Sequence, residues 1–156
     1  MHAPARVFVA YSHLDAKYRH ELAQQLTLLS RKGQATSWSE HELVPGDEKL
    51  EVIEEELQKA DIILLLISIH FLSNDFCWSD LLEKAIERHE NGDAVVIPVH
   101  VRPCPWEDTP VERLQGVPKG AKPIARWTDK HEGWTDAARG IQRSIAAWRE
   151  GQVENP

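Results

Sequence analysis

The chain has 156 residues, 42% of them hydrophobic, enough for one domain to bury a core without a metal or disulfide staple. Its formal net charge of −7 argues against nucleic acid or an anionic membrane as the main partner. Cys77 and Cys104 lie far apart with no CxxC pattern, which argues against a zinc site or a disulfide framework.

In chain order, the β-branched and aromatic run Val7–Tyr11 predicts a buried strand. The loop "SHLDAK" leads into Tyr18, Leu22, Leu26 and Leu29 at helical spacing, and Gly33 stops that helix. "QATSW", ending at Trp38, reads as a weak second strand. A polar loop, "SEHELVPGDEK", turns at Pro45-Gly46. Asp47 and Glu48 then suit a helix N-terminus, and Val52, Ile53, Leu57 and Ala60 form its apolar stripe.

Ile62–Ile67 is apolar on every side, as a central parallel strand covered on both faces requires. Ser73-Asn74-Asp75 offers N-caps and Asn91-Gly92 a C-cap for the helix between them. "AVVIPV" predicts another strand, residues 102–123 a proline-rich surface loop, and "PIARW" a fifth short strand. Trp134, Ala137, Ala138, Ile141, Ile145 and Trp148 mark a closing helix. Residues 1–5 read as an extension, 6–149 as the domain and 150–156 as a tail or linker stub. The apolar run Ile62–Ile69 falls short of the roughly 20 residues a membrane span needs. The stretch "MHAPARVFVAYS" lacks a signal-peptide pattern, so a soluble, cytoplasmic protein is expected.

Strands alternating with helices predict an α/β, flavodoxin-like doubly wound sheet of five parallel strands with helices on both faces. Ligands of such folds sit at the carboxyl ends of the strands. Here those ends are the loop after Tyr11, the loop after Trp38 and the turn before Phe76.

The blocks "VFVAYSHLD", "SWSEHELVPGDEKLEVIEEELQKADIILLLIS", "FLSNDFCWSDLLEKAIERHENGDAVVIPVHVRPCPW" and "RWTDKHEGWTDAARGIQRSI" together resemble a bacterial-type TIR (Toll/interleukin receptor) domain, from about Arg6 to Trp148. The resemblance implies homotypic assembly with itself and other TIR domains, as a homo-oligomer or filament, in bacterial immune or stress signalling. It also implies a mobile assembly loop carrying Glu40, Leu43, Pro45, Gly46 and Asp47. Many members cleave the nicotinamide–ribose bond of NAD+ with a glutamate on the helix after the third strand, so NAD+ is a substrate or ligand by resemblance. No cofactor is required and no metal set is seen: the histidines are dispersed and form no HExxH-type cluster.

The family's Tyr-Cys-x-x-x-Glu-x-x-x-Ala pattern aligns with Phe76, Cys77, Ala85 and Glu87–Glu90, which puts the catalytic glutamate on Leu81. At about 100° per residue, Trp78, Leu81, Leu82, Ala85 and Ile86 make one apolar stripe, with the stand-in acids Asp80 and Glu83 facing away from it. A one-residue slip, matching Cys77-Trp78-Ser79-Asp80 to Trp-Cys-x-x-Glu, rescues Asp80 only if the helix carries a π-bulge. By resemblance, Tyr11, Ser12, His13, Trp38, Glu40, Cys77 and Trp78 border the nucleotide. The bland alternatives are a turn in which Ser12 or Asp15 caps the first helix, and core packing for Cys77 and Trp78. Ala10, Glu40 and Lys49 depart from the serine, aspartate and tryptophan frequent in relatives.

Two functions follow: a signalling module that self-associates without cleaving NAD+, or an NAD+ glycohydrolase using Asp80 or Glu83 once oligomerised. A phospho-acceptor receiver domain fails, because Ser68 and Ile69 stand where its aspartate belongs and only Asp15 follows the first strand.

Overall fold

The computed structural model describes residues 3–154. Its one sheet has four parallel strands in the order β2-β1-β3-β4: β1 (Ala5–Ala10), β2 (Ala35–Ser39), β3 (Ile62–Ile67) and β4 (Val95–His100). Side chains of a strand alternate between faces, so the sequence sorts itself into two cores. Val7, Val9, Ile62, Leu64 and Leu66 pack with Tyr18, Leu22 and Leu26 of α1 (Ala16–Arg31) and with Trp134, Ile141 and Ile145 of α5 (Lys130–Glu154). Phe8, Ala10, Ile63, Leu65 and Ile67 pack on the other face. Their partners are Ile53 and Leu57 of α2 (Lys49–Lys59), Phe71 of α3 (Ile69–Leu72), and Ala85 and Ile86 of α4 (Glu83–Glu90). Every residue of β3 is fully buried, the reason its sequence is apolar without alternation.

Local signals act where they were read. Gly33 ends α1 at φ 73°. The Asn74 side chain accepts a hydrogen bond from the Cys77 N–H at 2.9 Å, and Asn91 and Gly92 close α4. Asp47 acts one step earlier than expected: its carboxylate accepts the Val44 N–H at 2.9 Å and closes the turn before α2. The residues expected as a tail from Glu150 continue α5 as far as Glu154.

The fifth strand expected at "PIARW" is absent, and a 3-10 turn, Ile124–Arg126, stands in its place. The N–H donors of β4's outer edge are already engaged. The Val96 N–H donates to His89 Nδ1 at 3.1 Å, and Pro98 has no N–H to offer. Val117 takes the rest: its N–H donates to the Pro98 carbonyl at 2.9 Å, and its carbonyl accepts the His100 N–H at 2.8 Å. Residues 123–127 therefore reach the sheet's end through one bond, Ala125 N–H to the Val101 carbonyl at 3.0 Å. His100 is buried against the Trp106 ring, centroids 4.8 Å apart, and burial pushes its pKa below the usual imidazole value.

Two glycines allow this close approach. A Cβ on Gly116 would lie 2.8 Å from the Pro98 carbonyl oxygen and 2.9 Å from His100 Nε2, and one on Gly140 would lie 2.6 Å from Val117 Cγ1. Gly116→Ala is accordingly expected to cost about 1–3 kcal/mol through overpacking, read as a lower urea midpoint with an unchanged slope.

Candidate functional site

Strand order reverses between β1 and β3, the place where doubly wound sheets open a crevice at their carboxyl ends. The chain spans that crevice with a buried charge. Ser12 leaves β1 and accepts the Leu14 N–H on its Oγ at 3.2 Å, which starts a 3-10 turn, His13–Asp15. The turn aims Asp15 inward, where it is 0% exposed. Its carboxylate accepts hydrogen bonds from Ser68 Oγ, just after β3, and from Arg102 Nε at 2.7 Å, just after β4. Ser68 Oγ also accepts the Phe71 N–H at 3.1 Å and so caps α3. The Arg102 guanidinium lies 4.9 Å from the Tyr18 ring centroid, and the hydrogen bond it donates to Asp15 raises its pKa further. Of the two cap candidates, Ser12 caps the first turn. Asp15 makes no side-chain bond to the α1 backbone and instead ties three loops together.

Around this latch the expected nucleotide neighbours divide. Tyr11, Glu40 and Cys77 share one electrostatic neighbourhood. Burial raises the Tyr11 hydroxyl pKa, opposed by Arg19 and reinforced by Glu40, and the Arg19 guanidinium sits 5.9 Å from the Tyr11 ring centroid. Cys77 Sγ lies 4.0 Å from the Tyr11 carbonyl oxygen. Burial, with the nearby Glu40 and Asp15 carboxylates, pushes its thiol up to about 11, so it stays protonated and packs as a small hydrophobe. Trp38 packs its ring on Phe8, centroids 5.4 Å apart, and Trp78 leans on the core beneath α4. His13 is exposed. In the loop after β2, Lys49 Nζ pairs with Glu40 at 3.7 Å and Leu43 packs on the core, while Pro45, Gly46 and Asp47 stand in solvent.

The helix after Asn74 decides the chemistry. Residues Cys77–Leu82 form a π turn: the Glu83 N–H reaches back five residues to the Trp78 carbonyl. One residue is thereby inserted ahead of α4. A π turn at this place is the local geometry that the slipped match of Asp80 would require. Leu81 is 5% exposed in the core between the sheet and α4. Asp80 and Glu83 are exposed. Among the described residues, no three His, Cys, Asp or Glu side chains converge as metal ligands.

Asp15, Ser68 and Arg102 escaped sequence reasoning. Asp15 lies 53 residues from Ser68 and 87 from Arg102, and no local spacing rule links them. The available signal was a polar or charged residue within five positions of the carboxyl end of each of three adjacent strands. Arg102→Ala strands a buried carboxylate on Ser68 alone and is expected to cost about 3 kcal/mol. That is the low end for breaking a buried pair, because Arg102 is itself 37% exposed. Lys49→Ala, at the exposed Glu40 pair, is expected to cost less than about 1 kcal/mol by the same denaturation measurement.

The family model described as TIR domain matches residues 7–143. The uncharacterized protein y4lF of Sinorhizobium fredii (strain NBRC 101917 / NGR234) is 36% identical over 138 residues, which is 88% of this chain and 43% of that protein. The chain thus spans less than half the length of this curated relative. The crystal structure of the TIR domain of the Toll-related receptor TRR-2 from Hydra magnipapillata superposes with a TM-score of 0.65 at 18% identity, covering 90% of this chain and 97% of that one. Neither β1, where the family match begins, nor α5, where it ends, is left out of the shared architecture, and this chain belongs to the TIR domain family of signalling modules.

Proposed function

We propose that this chain passes its signal by self-association through the loop Glu40–Asp47, without cleaving NAD+. The observation that carries the reading is Leu81: where the family places its catalytic glutamate, this chain has an aliphatic side chain 5% exposed. Loss of nicotinamide leaves positive charge on the ribose, as in glycoside hydrolysis, and a carboxylate beside the sugar hydroxyls stabilises that charge. Leucine does neither. Losing such a group typically lowers the rate by orders of magnitude. Binding of NAD+ along Tyr11, Ser12, His13 and Glu40 survives the loss.

Support for assembly comes from the loop's surroundings. Val44 and Leu50 flank the turn at Pro45-Gly46 and are 60% and 64% exposed, apolar surface that a partner would cover. The partners are further copies of this chain and other TIR domains. The setting we propose is cytoplasmic, in bacterial immune or stress signalling. Among the described residues, no helix is long and apolar enough to cross a membrane.

One feature favours a second reading. The π turn at Cys77–Leu82 is what the slipped register needs to place Asp80 in the glutamate's role, and π-bulges concentrate at functional sites. In that reading the chain is an NAD+ glycohydrolase that works once oligomerised, with Asp80 as its carboxylate.

Nicotinamide release followed by proton NMR at high protein concentration separates the two. The native chain is expected to be silent, and Leu81→Glu to gain activity. Because that substitution puts charge into the core, its fold is checked by circular dichroism beside Leu81→Gln. If the native chain turns over NAD+ and Asp80→Ala abolishes that turnover, the second reading holds and the first is wrong.

A further inference from the structure

Away from the strand ends, the closed edge of β4 forms the floor of a groove. α5 makes one wall, and the segment Arg113–Lys119 makes the other; the cavity measures about 1130 Å³. Its floor is apolar, built by Val95, Ile97, Leu114 and Val117. Strand addition there is hindered, because the edge's N–H donors at Val96 and His100 and the Pro98 carbonyl are already bonded, and Pro98 has no N–H. What the groove offers a ligand is charge. Arg139 and Arg143 line it one helical turn apart, with Lys119 across from them.

In a chain whose net charge is −7, these three cations make no ion pair among the described residues. Arg113, further along, is engaged by Glu90. The groove's acids are Glu132 and Asp136, and Asp136 already accepts the Lys119 N–H at 2.7 Å. Like charges four residues apart repel along a helix, so the Arg139–Arg143 pair is a cost to the free protein that a bound anion reverses. Gly140, between them, lets α5 lie against Val117 and brings both arginines over the floor. Guanidinium forks match phosphate oxygens bidentately. Their separation along the axis, about 6 Å, suits two linked phosphates better than one.

From this groove we infer a second binding site, for a small molecule carrying a diphosphate: phosphates on Arg139, Arg143 and Lys119, and its organic part on Val95, Ile97 and Leu114. The cavity is far larger than a diphosphate alone and leaves room for that part. The site is separate from the Tyr11–Cys77 neighbourhood and does not depend on whether NAD+ is cleaved.

The test uses pyrophosphate as the probe, with inorganic phosphate for comparison, titrated at low salt into the isotope-labelled full chain. NMR follows the Gly116 and Gly140 amides and the Trp127 indole. Saturable shifts at these positions are expected, with pyrophosphate binding tighter than phosphate. Affinity is expected to fall about tenfold or more in Arg139→Ala/Arg143→Ala, and less in the double lysine variant. Both arginines are exposed, so the variants are expected to keep the native melting profile. The inference is overturned if shifts centre on Ser12 and His13, if none saturates, or if the double alanine variant binds equally well. It is also overturned if the groove resonances follow protein concentration and ignore pyrophosphate, since a second copy of the chain then occupies the groove.

Discussion

A single buried carboxylate organises this molecule's functional edge. Asp15 is fully enclosed, and an ionised group removed from water costs several kcal/mol unless hydrogen bonds and an opposite charge offset it. Ser68 and Arg102 supply both. Because they stand directly after β3 and β4, satisfying Asp15 fixes the loops of three adjacent strands relative to one another. The chain cannot move the Tyr11–Asp15 segment without breaking that satisfaction. The crevice where this fold class binds ligands therefore has a rigid floor, and the freedom left at the strand ends lies in the loop after β2. There the polar restraints are weak, an ion pair from Lys49 to Glu40 and a turn closed by Asp47, and Leu43 is the residue that anchors the loop to the core.

That contrast separates what holds the fold from what the proposed function draws on. Leu81 serves the hydrophobic core under α4, and the core tolerates or prefers an aliphatic side chain where an enzyme must keep a partly buried acid. Fold and site draw on different residues, so the family match covers residues 7–143 without deciding which side chain, if any, stands in the glutamate's role. The π turn complicates a purely structural account, because the Trp78–Glu83 bond gives up regular α geometry at the one place where a reacting group would stand. Between the π turn and the closed β4 edge, two surfaces carry the functions proposed here. One is defined by loops and apolar contacts, the other by unpaired arginines.

Period-two and period-3.6 patterns made most of the fold legible. β3 announced itself by unbroken apolarity, α1 and α5 by their stripes, and Gly33, Asn74 and Asn91-Gly92 by side-chain chemistry that acts within a few residues. The failures are all non-local or competitive. "PIARW" has strand composition, but strand pairing depends on the neighbour. β4's edge is already satisfied by His89 and Val117, neither of which a local pattern assigns to it. Asp15 resembled a helix cap because aspartate before a helix usually is one; the half-exposed Arg102, 87 residues away, won the competition for its oxygens together with Ser68. The π turn was legible only as a condition: two matches in one helix differ by one residue, and an inserted residue is the way both can hold.

The central claim is that this chain acts by assembling through the loop after β2. Sedimentation velocity over a wide concentration range, comparing the native chain with Val44→Ser/Leu50→Gln at the two exposed apolar positions, is the direct test. Assembly through this loop predicts concentration-dependent oligomers of the native chain and a shift to monomer in the variant, with the same melting profile for both. A native chain that stays monomeric throughout, or a variant that assembles equally well, would contradict it.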